Sequence, residues 1–162
     1  MTRQQSHAAL RVAFPELAIT RTFIDEPSSR WANYEDADTM LRRLEGCTWT
    51  ELTPSFVEDY PDAMRTAGAQ TFCALLPAYL AYLLEFERFN EVPFHVARQL
   101  THHGETTDRE IFEERVALLT PVQRRVVASI LSELATHPVM GDAISATLAT
   151  WKSLQPSSSN GE

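Results

Sequence analysis

The chain has 162 residues, 44% of them hydrophobic and 22% charged, with a net charge of −8 at pH 7. That length fits a single domain able to bury a core without disulfide or metal staples. The acidic balance argues against general nucleic-acid binding, where phosphates must be neutralised by a surplus of Lys and Arg, and against an anionic membrane surface. It suits a soluble protein, or one whose partner is basic. Only 5 residues are Gly, which favours helices joined by short loops over a β-rich fold full of tight turns. Lys152 stands alone against 13 Arg, the usage of a GC-rich, bacterial genome. Cys47 and Cys73 form neither a disulfide framework nor a C-x-x-C motif, so both read as reduced, mostly buried thiols.

The N-terminus, MTRQQSHAALRVAFPEL, has no uninterrupted apolar stretch and is not a secretory signal. A first helix is expected over 6–14, capped by Ser6 and stopped by Pro15. Residues 16–32 lack helical period and read as short extended pieces. A second helix comes after Asn33, with Tyr34, Ala37, Leu41 and Leu44 on one face and Gly46 ending it. Thr53-Pro54 predicts an N-cap with Pro at the first helical position, and a short helix over 54–60. Another turn or short helix runs through Ala67 and closes at Gly68.

The central helix runs from about Ala69 to Phe86. Its apolar run Phe72–Leu84 falls short of the roughly 18–20 residues a membrane span needs. Pro77 predicts a kink or restart within it. Helices are next expected over 91–103, 108–118, about 121–136 and about 139–154. The third of these four is introduced by a capping box, Thr120 with Gln123. The whole reads as an all-α single domain over 1–155, an irregular or orthogonal bundle of about six to eight helices. A disordered polar tail is expected over 156–162, and the expected location is the cytoplasm.

Three phrases occur together: Trp49-x-Glu51-Leu52, Leu76-Pro77-Ala78-Tyr79-Leu80 and Leu119-Thr120-Pro121-x-Gln123. In that order they resemble a family of small bacterial proteins whose domain has no assigned function. The resemblance spans roughly residues 10–135. It implies a helical fold and a bacterial source, and it supplies no catalytic residue.

No nucleophile elbow, phosphate loop or dinucleotide fingerprint is present. From Glu51 to Asp62 there are four acids and no base, interleaved with Phe56 and Tyr60; from Glu105 to Glu114 there are five acids against Arg109 alone. Acidic surface with embedded aromatics is what a binder of a basic protein presents; either patch alone also reads as a solubilising face on an acidic protein. The leading expectation is therefore a non-enzymatic protein-binding module, in its sharpest form an immunity or antitoxin-type inhibitor that neutralises a bacterial toxin. Its partner surface is assigned to Glu51, Phe56, Glu58, Asp59, Tyr60 and Asp62, with no cofactor. A second reading is a small metal-binding protein or enzyme using His95, His102 and His103 beside Glu105 and Asp108. A third is a structural homo-oligomer, such as a homodimer.

Overall fold

A helix that is apolar on every side has to be covered on every side. In the computed structural model, which describes residues 2–31, 36–85, 91–102 and 106–154, that helix is Ala69–Glu85, the sixth of ten. In chain order they are α1 (Arg3–Ala13), α2 (Arg21–Ile24), α3 (Ala37–Leu44), α4 (Pro54–Asp59), α5 (Ala63–Thr66), α6 (Ala69–Glu85), α7 (Val92–Gln99), α8 (Thr106–Ala117), α9 (Pro121–Leu134) and α10 (Gly141–Ser153). No strand occurs among the described residues. The fold is all-α, with α1, α2, α4, α5, α8 and α9 packed around α6, and with α10 resting on α9 and α7. The count exceeds six to eight because single turns add to it: α5 forms within the turn or short helix expected through Ala67, and α2 forms inside the 16–32 stretch expected to be extended, a four-residue turn too short for a periodic apolar pattern to register.

One buried cluster runs from Leu10 to Trp151 and joins all these elements into one core. Its tryptophans are tied down at the polar end as well as packed. The indole N–H groups of Trp31, Trp49 and Trp151 donate to the carbonyls of Ile24, Phe14 and Leu100 at 2.7, 3.2 and 2.7 Å. The Tyr79 hydroxyl, fully buried in α6, donates to the Tyr60 carbonyl.

Helix α6 continues through Pro77 as one element, so the expected restart is absent. An internal proline costs about 3 kcal/mol. Leu75, Leu76, Tyr79 and Leu80 around it are all fully buried, and each such side chain contributes roughly 1.5–3 kcal/mol. Tertiary burial outweighs the local penalty.

At the N-terminus the cap lies earlier than expected. Thr2 caps α1 in a capping box with Gln5, while Ser6 is buried inside the helix and donates to Glu133 Oε2 on α9 at 2.6 Å. The caps at Thr53 and Thr120 form as the sequence indicates. Gly46, just beyond α3, has φ +86°, a conformation that favours Gly. Asn33, Tyr34, His103, Glu105 and the tail beyond Leu154 lie outside the described residues. No helix among the described residues is long and apolar enough to cross a membrane.

Candidate functional site

The acidic segment assigned to a partner does not form one face. Phe56 and Tyr60 are only 2% and 7% exposed, so they are core side chains and not surface anchors. The reason is the tight turn of α4, which directs its apolar residues inward against α6. The acids scatter to separate partners. Glu51 folds back onto the Thr48 backbone N–H at 2.8 Å and its hydroxyl at 3.0 Å, and these bonds hold its carboxyl below the ordinary value. Glu58 accepts from the Tyr82 hydroxyl at 3.0 Å. Asp59 meets Arg43 at 2.7 Å, and the Arg43 guanidinium lies over both the Phe56 and Tyr60 rings. Asp62 sits 3.0 Å from His95 Nδ1.

The histidines also separate. His95 faces Asp62, whereas the His102 ring packs against Phe112 with centroids 5.8 Å apart. No three His, Cys, Asp or Glu side chains among the described residues are grouped to hold a metal ion. Cys73 donates to the Arg115 carbonyl at 3.4 Å, and burial, with Glu26 next, pushes its thiol up to about 12. Such a thiol is a poor nucleophile.

Three cavities bring distant residues together. A cavity of about 570 Å³ lies between α1, the 49–54 turn, α4 and α6, and takes in Glu58 and Tyr82. On its wall His7 Nε2 stands 2.6 Å from Glu85 Oε1, at angles outside those of a hydrogen bond. The second, about 380 Å³, is bordered by Arg30, Arg65, Arg98 and Arg115.

The third is smaller, about 210 Å³, and mostly apolar, with Phe14, Pro15, Phe23, Ala74 and Pro77 in its wall. Leu17 and Leu118 flank it, 56% and 52% exposed. Two large apolar side chains from distant segments, left in water at one pocket, mark an interaction surface more clearly than single exposed residues do. Along the chain, the exposed Glu16 precedes Leu17 and the exposed Glu114 lies four residues before Leu118.

Sequence reasoning singled out Glu58 of the first cavity and Asp62, His95 and Asp108 of the second, but grouped them differently, and it named no residue of the third as a site. It had no means to pair Leu17 with Leu118, which lie far apart along the chain. No family model, curated protein or solved structure matches this chain.

Proposed function

We propose that the protein is a non-enzymatic binding module for a basic protein partner, in its sharpest form an immunity or antitoxin-type inhibitor. The observation that supports this reading is the apolar pocket flanked by the exposed Leu17 and Leu118. An interface core is apolar and depleted of charge, while its rim is polar. Here an apolar side chain of the partner fills the pocket, and Glu16, Glu110, Glu113 and Glu114, all exposed, steer its basic surface. The net charge of −8 extends that attraction over the whole molecule and speeds encounter. The contact surface thus moves from the α4 segment to the α8 end and the residues after α1.

The test uses the tagged full chain and a Leu17→Asp/Leu118→Asp variant, each incubated with lysate of the native host. Both side chains are exposed, so the variant is expected to keep its helical circular dichroism. The reading requires a basic protein that is captured by the native chain, lost with the variant and released by salt. Capture that persists in the variant, an acidic captured protein, or no specific capture at all would overturn it.

A further inference from the structure

The last turn of α4 carries two adjacent acids, Glu58 and Asp59, and no base. Asp59 is paired with Arg43 at 2.7 Å. Glu58 is placed differently. It accepts from the Tyr82 hydroxyl at 3.0 Å, and none of the ion pairs among the described residues includes it. An ionised carboxylate offers about four lone-pair sites. A neutral hydroxyl fills one of them and offsets none of the charge.

Glu58 lines the cavity of about 570 Å³ between α1, the 49–54 turn, α4 and α6. Each other charged group on this wall has an opposite charge beside it. Glu85 has His7 Nε2 at 2.6 Å and Arg3 Nη1 at 3.9 Å, and Arg11 has Glu16 Oε1 at 4.0 Å. With His7 neutral, the carboxylates of Glu16, Glu58 and Glu85 outnumber the guanidiniums of Arg3 and Arg11. His7 Nε2 is buried without a hydrogen-bond partner, although buried polar atoms ordinarily have one. Trp49, Leu52, Val57, Ala78 and Ala81 make an apolar side to the same cavity. The volume lies within the roughly 300–1,000 Å³ of small-molecule sites. It is more than a bare ion fills, and no group of three metal-ligating side chains occurs among the described residues.

We propose that this cavity binds a small organic ammonium ion, with its charged nitrogen on Glu58 and its apolar body against Trp49, Leu52, Val57 and Ala78. An ammonium brings up to three N–H donors. One neutralises Glu58, and another is available to the neutral imidazole at His7 Nε2. The rings of Trp49 and Tyr82 in the wall favour a cation over a neutral group of the same shape. The cavity shares only Trp49 with the Leu17–Leu118 pocket, so either proposal can fail without the other.

The test is isothermal titration calorimetry of the full chain at pH 8 and low salt. The probes are phenylethylamine, the isosteric alcohol phenylethanol, the anion phenylpropionate, and ammonium chloride. Phenylethylamine is expected to saturate with a dissociation constant on the order of 10 µM to 1 mM. Phenylethanol is expected to bind at least roughly tenfold more weakly, and phenylpropionate and ammonium chloride to show no binding. Glu58 is exposed, and Glu58→Gln keeps an acceptor for the Tyr82 hydroxyl. That variant is expected to leave the urea unfolding midpoint unchanged while weakening phenylethylamine binding roughly tenfold. Asp142→Asn removes an exposed acid that lies outside this cavity and is expected to leave the affinity unchanged. The proposal is overturned if phenylethylamine does not saturate, if phenylethanol or phenylpropionate binds as tightly, or if ammonium chloride binds as tightly. It is equally overturned if Glu58→Gln leaves the affinity unchanged, or if Asp142→Asn lowers it as much.

Discussion

Arg43 and Arg115, both among the described residues, lie over aromatic rings, and they belong to opposite environments. Arg43 on α3 sits 5.4 and 5.2 Å from the Phe56 and Tyr60 centroids, with Asp59 at 2.7 Å, and its side chain is 38% exposed. Arg115 on α8 lies 4.8 Å from the Phe72 centroid with carbonyls in place of a carboxylate. Water screens the first charge, so pairing adds little and removal costs little. The second charge is 6% exposed, and Glu114 and Glu26 act on it through space without forming an ion pair with it among the described residues. Similar local geometry thus makes an ordinary surface contact in one region and a buried, desolvated charge in the other.

The largest expected effect falls on the ring beneath the buried arginine. Phe72 is fully buried, and Phe72→Ala is expected to lower stability by about 3–5 kcal/mol in urea unfolding. A loss under ~1 kcal/mol there would show that the buried region is loosely packed.

Next comes the contact that fixes the start of α6 beside Arg115. The Glu26 carboxylate accepts from the Gln70 backbone N–H at 2.9 and 3.1 Å, capping α6 from a distant segment. A Cβ on Gly68 would overlap Glu26 Oε1. Gly68→Ala must therefore displace the carboxylate, at a cost of roughly 1–3 kcal/mol in urea unfolding. Burial raises the Glu26 carboxyl above its ordinary 4.5, against the lowering by these hydrogen bonds. A raised acid binds more protons folded than unfolded, so its contribution to stability falls as pH rises from 4.5 through the raised value. The stability difference between native chain and Glu26→Gln, from urea midpoints at several pH values, is expected to shift in favour of the variant across that window. A shift in the opposite direction would mean that the capping bonds outweigh burial.

Arg115→Met sets two terms of the buried region against each other. The shift to about 10 corresponds to about 3 kcal/mol against the charged form. The lost bond to the Ala67 carbonyl and the lost ring contact together amount to roughly 3–5 kcal/mol. The net change in urea is expected to lie within about 2 kcal/mol of the native chain, although a buried charge is removed. A much larger loss would show that the carbonyl bonds, not desolvation, dominate.

The smallest effect is predicted on the exposed side. Arg43→Ala is expected to leave the unfolding midpoint almost unchanged, and less so at low salt than at high, because its pair with Asp59 is solvated. A large salt-independent loss would erase the contrast between the two regions.

Much of the fold was legible along the chain. The apolar run of α6, the Thr53-Pro54 and Thr120–Gln123 caps and the Gly46 terminus are local chemistry, and each appears where the sequence indicates. The same T-x-x-Q signature at Thr2–Gln5 marks the start of α1, but Ser6 lies closer to the first apolar residues and draws the expected boundary inward. The sites were far less legible. Phe56 and Tyr60 sit among acids in sequence and still point inward. Arg115 lies on an acidic helix, and nothing in its neighbours signals that it is buried.

By itself the sequence determined the features that period and short-range capping control: an all-helical chain, an apolar centre and the ends of several helices. Only the tertiary structure decided which charges lose water and which apolar side chains keep it. Arg30, Arg65, Arg98 and Arg115 come from four distant segments, and Leu17 and Leu118 from two. Burial and electrostatic potential depend on distances through space, and the order of residues along a chain does not contain them until the chain has folded.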